Sequence, residues 1–396
     1  MYTSSPSLYL LVIIIIKQIS YITTEKLPSA LSSIELATKY GHPPTQYNII
    51  TEDGYILAVF RLPGRSRIPV LLMHGILDSS DMWMLRGNTS LAITLANNGY
   101  DVWLANSRGN RYSRRHKILN PDTDPAFWQF SFHEMGYYDL PAVIDTILNE
   151  SGAKKLSAIG HSQGNTMFYV LGSERKEYNS KINVLIALAP IAYLHNTPPP
   201  LSIVIQLSPL IESLVKKLGV YEIFGDNSTT GLLVHKFCST PDIAYAVCIE
   251  QILFPVLGFD REELEPEFAP TLTVHYPAGT SVQSILHFLQ IGYRKMFARY
   301  NYGSKVNRRT YNSPDPPEYQ WDKITMPIAL LAARNDRLSS IPDVAILRRR
   351  LPSVVFYLEN PRSTLNHVDF IVGRNMPVYL FPYIFQILHE NNHFVD

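Results

Sequence analysis

Residues 155–166 read KLSAIGHSQGNT, and their reading decides the fold. Lys155 to Ile159 is a short strand that runs straight into Gly160-His161-Ser162-Gln163-Gly164, and Thr166 to Gly172 continues as helix. Gly-x-Ser-x-Gly between a strand and a helix is the nucleophile-elbow pattern. The reason is steric. A sharp turn forces the central residue into a strained conformation, and only glycine-sized neighbours let the two segments pass. The serine hydroxyl then stands exposed above the sheet. An ordinary glycine turn would need neither the strand before it nor the helix after it.

The same alternation extends outward on both sides. Thr45 to Arg61 alternates around Asp53-Gly54, a strong hairpin signal. Ile68 to Met73 is a buried apolar strand ending in His74-Gly75, Asn88 to Gly99 reads as helix, and Tyr100 to Ala105 as strand. Tyr137 to Leu148 is amphipathic, with Leu140, Val143, Ile144, Ile147 and Leu148 on one face. Asn183 to Ala189 is a further strand. The rhythm then stops from Ile191 to Tyr319, a stretch rich in Pro, aromatics and helical segments. It resumes with a strand at Pro327 to Ala333, then Pro342 to Leu351, a strand at Val354 to Leu358 and a terminal helix from Met376 to Glu390. Strands alternating with helices imply an α/β fold, with a mostly parallel central sheet and helices on both faces. The expected organisation is a signal peptide at 1–22, a core at 23–190 and 320–396, and a helical cap or lid at 191–319. That insertion is far longer than an ordinary loop.

Composition narrows the classes. Of 396 residues, 46% are hydrophobic and 17% charged, which excludes disorder and supplies a large core. Thirty-five Lys plus Arg balance 34 Asp plus Glu, leaving +1, so no basic excess marks a nucleic-acid partner. Two cysteines exclude a disulfide-stapled miniprotein and a cysteine-rich zinc module.

Leu8 to Ile16 reads LYLLVIIII, too short to span a bilayer, which takes about 20 residues, and suited to a signal peptide. Three glycosylation sequons follow at Asn88, Asn149 and Asn227, consistent with the secretory pathway. No other run suits a transmembrane segment.

A serine hydroxyl needs a base to take its proton. In chains with this elbow the order is Ser, acid, His. Asp336 sits just past the strand ending at Ala333, where a C-terminal strand end delivers a carboxylate to the top of the sheet. Asp322 precedes that strand, at the wrong end. Asp343 belongs to the first turn of the next helix, where a carboxylate meets the helix dipole. His367 follows the last strand by a short loop. His389 and His393 belong to the terminal helix or beyond, and His275 and His287 to the insertion. The expected triad is therefore Ser162 as nucleophile, His367 as base and Asp336 as its orienting acid. The tetrahedral intermediate needs two donors. One is the backbone N–H of Gln163, and the other is that of Ile76 or Leu77. Side-chain type does not separate those two. His74 and His161 read as packing and loop-bonding residues.

Several stretches carry a family resemblance. They are TEDGYIL (Thr51 to Leu57), HGILDSSDMW (His74 to Trp83), NTSLAITLANNGYDVWLANSRGNRYSRRH (Asn88 to His116), FWQFSFHEMGYYDLPAVIDTIL (Phe127 to Leu148), GHSQGNT (Gly160 to Thr166), HYPAGTSVQSILHFLQ (His275 to Gln290) and NHVDFIVG (Asn366 to Gly373). Together they resemble the acid lipases, the gastric and lysosomal enzymes and their invertebrate relatives. The resemblance covers nearly everything after about residue 30. It implies the α/β-hydrolase fold, with nucleophile Ser162, acid Asp336, base His367, and oxyanion donors Ile76 and Gln163. It further implies hydrolysis of triacylglycerols or cholesteryl esters at acidic pH, without metal or cofactor, by a monomer at an oil–water or membrane surface, secreted or lysosomal.

Two departures stand out. Family members often carry three cysteines in the insertion, whereas this chain has Cys238 and Cys248, with Leu257 where the free one would lie. A disulfide between the two would suit a secreted chain, and two free buried thiols are the alternative. The usual glycine-rich approach to the acid is replaced by Ala333-Arg334-Asn335-Asp336-Arg337, whose arginines are expected to face solvent. Phe224 to Gly258 is the expected lid, with Leu232, Leu233, Phe237, Ile243, Val247, Ile252, Leu253 and Phe254 supplying apolar surface. The bland alternative is that they form the cap's own core, and a mixture led by the lid role is the expectation. A small-ester carboxylesterase and a catalytically inactive lipid-binding protein are the competing functions.

Overall fold

The computed structural model describes residues 30–392 apart from 67, 227, 241 and 242. The expected signal peptide at 1–22, the sequon Asn227 and His393 lie outside the described residues. Ten strands are described: β1 (Thr45–Ile50), β2 (Ile56–Leu62), β3 (Pro69–Met73), β4 (Asp101–Ala105), β5 (Leu156–His161), β6 (Ile182–Leu188), β7 (Glu222–Ile223), β8 (Thr280–Ser281), β9 (Ile328–Ala332) and β10 (Val354–Glu359). Eight of them form one sheet in the order β1-β2-β4-β3-β5-β6-β9-β10. β1 with β2 and β2 with β4 are antiparallel, and the other pairs are parallel.

The parallel strands are apolar without interruption because both faces are covered. Alternate side chains enter opposite layers. Val70 and Leu72 of β3 join one core cluster, while Leu71 and Met73 join the other. The same split separates Ala329 and Leu331 from Ile328 and Leu330 in β9. Because the chain leaves β3 for β4 on one side and later enters β5 on the other, the order reverses between β3 and β5. Open α/β sheets hold their sites at the strand C-terminal ends beside such a reversal.

The expected elements are present with ends shifted by a few residues. The helix expected over Asn88 to Gly99 is confined to Leu91–Asn97. The terminal helix is two, Met376–Tyr379 and Phe381–Asn391. Pro382 explains the break, since it lacks an N–H and crowds the preceding turn. The insertion is not wholly helical, because β7 and β8 pair within it. Its helices include Ser208–Leu218, Thr229–Cys238, Ala269–His275 and Val282–Arg294. Cys238 and Cys248 form a disulfide, which joins the end of the second of these to the following helical segment. Part of the insertion has its own core around Ile205, Leu286 and Leu289, and part, including Phe254, Leu257 and Leu272, joins the main core. No helix among the described residues is long and apolar enough to cross a membrane.

Candidate active site

Ser162 stands between β5 and helix Gln163–Glu174 with φ 52° and ψ −118°. A non-glycine residue there costs on the order of 1–3 kcal/mol and persists only where its surroundings enforce it. The surroundings are visible. Ser162 N–H donates to Leu188 O at 3.1 Å, and Asn165 Nδ2 donates to the same carbonyl at 2.7 Å. A Cβ on Gly160 would sit 2.4 Å from Asn165 Oδ1, and one on Gly164 would sit 2.3 Å from Met73 O. Both glycines of the motif are therefore required by close approach, as the sequence implies.

Asp336 follows β9 and is buried. Its Oδ1 accepts from Leu338 N at 2.9 Å and Ser339 N at 2.7 Å, and its Oδ2 lies 2.8 Å from His367 Nδ1. A carboxylate can only accept, so Nδ1 carries the hydrogen and Nε2 is left as the acceptor. Ser162 and His367 line one small cavity of about 50 Å³, together with Gly75, Ile76, His161, Leu253, Leu257, Leu272, Tyr276 and Leu338. Ser162 Oγ and His367 Nε2 make no hydrogen bond in this closed arrangement. Such bonds often tighten only around a substrate.

The structure brings Ile76 and Gln163 to the serine. Ile76 lines the cavity, whereas Leu77 turns away with φ 61° and offers its carbonyl to Ala278 N at 2.7 Å. Gln163 opens the helix, where free N–H groups and the helix dipole favour negative charge. His74 organises the loop that follows β3. Its Nδ1 donates to Gly75 O at 2.7 Å and its Nε2 accepts from Ser107 N at 3.1 Å. Burial pushes the His74 pKa down to about 4, which keeps the ring neutral and both bonds intact. His161 donates from Nε2 to His367 O at 2.9 Å, and burial holds its pKa well below the usual histidine range. Both act as loop supports, as expected from their places in the sequence.

The rejected candidates fall elsewhere. Asp322 is exposed before β9. Asp343 is buried in the first turn of helix Ile341–Arg350, where it accepts from Ser340 Oγ and from Asn196 Nδ2 at 2.8 Å. His275 meets Asp81 at 3.0 Å, and His287 bonds Ser131 and Ala298, so both tie the insertion to the core. His389 is exposed. Arg334 faces solvent and pairs with Glu359, but Arg337 reaches the insertion and donates to Pro199 O at 2.6 Å.

Sequence reasoning missed the clamp that joins the loops of Asp336 and His367. The carbonyl of Leu257 accepts from His367 N at 3.1 Å and from Arg337 N at 3.4 Å. Beside it, Asn366 Nδ2 donates to Gly258 O at 3.0 Å, and Asn335 Nδ2 donates to Phe259 O at 2.9 Å. One backbone segment of the insertion thus holds both loops. Its role rests on carbonyls, which leave no mark in side-chain sequence. The lid candidates divide. Leu253 lines the cavity, Phe254 is fully buried, and Leu232, Phe237 and Ile252 are exposed. The sequons Asn88 and Asn149 are both exposed.

This fold and site define an α/β hydrolase, and residues 68–363 match the family described as alpha/beta hydrolase fold. Residues 33–87 match the partial alpha/beta-hydrolase lipase region. The chain is 36% identical over 367 residues to Lipase 1 of Drosophila melanogaster, covering 92% of this chain and 81% of that one. It is 36% identical over 373 residues to gastric triacylglycerol lipase of Homo sapiens, covering 90% of each. It is 33% identical over 377 residues to a putative lysosomal acid lipase/cholesteryl ester hydrolase of Crotalus adamanteus, covering 91% of each. A soluble variant of monoglyceride lipase from Saccharomyces cerevisiae shares the fold with a TM-score of 0.57 at 17% identity, covering 94% of this chain and 99% of that one. The chain belongs to the acid lipase family of the α/β hydrolases.

Proposed function

We propose that the chain hydrolyses lipid carboxylic esters, triacylglycerols and cholesteryl esters among them, through an acyl-enzyme at acidic pH. The observation that carries this reading is the buried His367–Asp336 pair at 2.8 Å, which shares a cavity with Ser162 on its strained turn. Ser162 Oγ attacks the ester carbonyl carbon while its proton passes to His367 Nε2. Asp336 holds the ring in the tautomer that can accept it. The N–H groups of Ile76 and Gln163 receive the negative oxygen of the tetrahedral intermediate. Collapse breaks the bond to the alcohol, which leaves with the proton from His367. Water, deprotonated by the same ring, then releases the fatty acid and restores Ser162.

The division into a core at 23–190 and 320–396 and a cap at 191–319 fits this chemistry, since the insertion contributes Leu253, Leu257, Leu272 and Tyr276 over the serine. A disulfide supports a secreted or lysosomal location, and glycans at the exposed Asn88 and Asn149 belong to the same reading. A second reading, a small-ester carboxylesterase, draws on the cavity itself. At about 50 Å³ it is far below the roughly 300–1,000 Å³ of ordinary ligand sites. A long acyl chain therefore requires the cap to move. Triolein, cholesteryl oleate and a soluble short-chain ester, assayed from acid to neutral pH, separate the two. A lipase gains rate on emulsified long-chain ester and an esterase does not.

A further inference from the structure

The helix Ser208–Leu218 reads SPLIESLVKKL, and at 3.6 residues per turn Leu207, Leu210, Leu214 and Leu218 share one face. In a soluble protein that face turns to the core. Here it turns to water. Leu210 is 66% exposed, Leu214 54% and Leu218 66%. The charged side chain does the reverse. Glu212 points back toward the protein, where it accepts from Lys216 Nζ at 2.6 Å, Gln290 Nε2 at 3.3 Å and Tyr300 OH at 3.4 Å. Ile211 and Val215 pack on the insertion's own core and fix the helix in this orientation. The apolar exposure continues beyond both ends, through Ile203 and Val204 before the helix and Val220 and Tyr221 after it. Apolar exposure gathered along one segment in this way marks an interaction site.

Charge and position specify the occupant. From residue 198 to 221 the charged side chains are Glu212, Lys216 and Lys217. Glu212 pairs with Lys216, so Lys217 is the uncompensated charge beside the leucines. An apolar ridge with an uncompensated lysine beside it suits a lipid surface, where leucines enter the acyl region and the ammonium group stays with the phosphates. The ridge is also linked to the serine. Leu338, which follows Asp336 by two residues, packs on the same insertion core and lines the Ser162 cavity.

We propose that the leucine ridge of helix Ser208–Leu218 is the surface by which the chain adsorbs to phospholipid-coated lipid, lying in the plane of the interface. It is separate from Leu253 and Leu257, which cover the serine. The proposal rests on the lipid-ester reading above. Adsorption of the ridge would hold the insertion, and through Leu338 the serine cavity, at the lipid surface without any membrane-spanning segment.

The test combines Leu210→Ser, Leu214→Ser and Leu218→Ser in the full chain. Flotation on vesicles of equimolar phosphatidylcholine and phosphatidylserine is measured in a Ser162→Ala background, so that turnover does not intervene. The bound fraction should fall about tenfold or more. With Ser162 present, hydrolysis of emulsified triolein should fall comparably, while a soluble short-chain ester is cleaved as before, which reports an intact fold. Vesicle binding that survives the triple substitution would overturn the proposal. So would sedimentation showing that the ridge joins two copies of the chain and that its loss only yields monomers. If the unsubstituted chain binds vesicles through the ridge but cleaves no long-chain ester, the functional reading fails and the surface stands. If triolein hydrolysis is undiminished in the triple variant, the surface fails and the functional reading stands.

Discussion

Leucine is used in opposite ways in the sheet and in the insertion. Leu185, Leu330 and Leu331 are fully buried between the two layers of the core, whereas Leu210, Leu214 and Leu218 face solvent. The sheet uses its apolar residues for rigidity, which holds Ser162 at a positive φ and brings the loops of Asp336 and His367 to the same end. The insertion leaves part of its own exposed and sets part against the cavity of Ser162. The two regions meet at Leu257, whose side chain lines the cavity while its carbonyl holds the loops of Asp336 and His367. Changes to Ser162 and its partners should therefore lower turnover on every ester, and changes to the insertion's exposed apolar residues should depend on the ester.

The largest effect is expected for Ser162→Ala, which should reduce turnover by about 10⁵ or more on long and short esters alike. A loss confined to long esters would erase the distinction. Asp336→Asn should cost on the order of 10⁴ in turnover, because the imidazole would take the wrong tautomer. Asp322→Asn and Asp343→Asn should leave turnover within a few fold. Equal losses at all three would indicate damage to the fold and not to the chemistry.

The boundary is probed by Gly258→Ala. Gly258 has φ 115°, and an added Cβ would lie 2.1 Å from Asn335 O, so the substitution must displace the segment that clamps both loops. Turnover should drop about ten- to a hundredfold on both substrate types, since misplacement by about 1 Å can cost that much. An unchanged rate would remove the clamp from the account.

Within the insertion, Leu233→Ser with Phe237→Ser should depress emulsified long-chain ester hydrolysis several fold and spare a soluble short-chain ester. Parallel losses would make these residues part of the cap's core.

A further prediction concerns stability, not turnover, and its dependence on pH. His287 bridges the insertion to the core, and burial pushes its pKa down to about 3. The folded state resists protonation that the unfolded state accepts near pH 6.5. Stability therefore falls as pH drops from about 6.5 toward 3, and one such group costs about 2–3 kcal/mol at pH 4.5. Urea midpoints should decline less between pH 7 and 4.5 in His287→Gln than in the unsubstituted chain. Identical declines would place the acid sensitivity elsewhere.

Much of this molecule was legible in its sequence. The elbow, Asp336 after β9 and His367 after β10 follow from strand-to-loop order and from glycines that only a close approach explains. The helix breaks at the C-terminus were not foreseen, because Pro382 interrupts a periodicity that otherwise continues. Leu257 could not be found from its side chain, since its carbonyl makes the contacts. The orientation of helix Ser208–Leu218 was equally hidden. An amphipathic pattern states that two faces differ, but only the packing of Ile211 and Val215 states which way the leucines point.

The central claim is that Ser162 forms the acyl-enzyme in lipid ester hydrolysis, and covalent labelling tests it most directly. After incubation with a serine-directed alkyl phosphonate, mass spectrometry of the peptide containing Gly160 to Thr166 should show one adduct on Ser162. Triolein hydrolysis should fall in step with its formation. Full labelling of Ser162 with triolein hydrolysis intact, or complete inhibition with the adduct on another residue, would contradict the account.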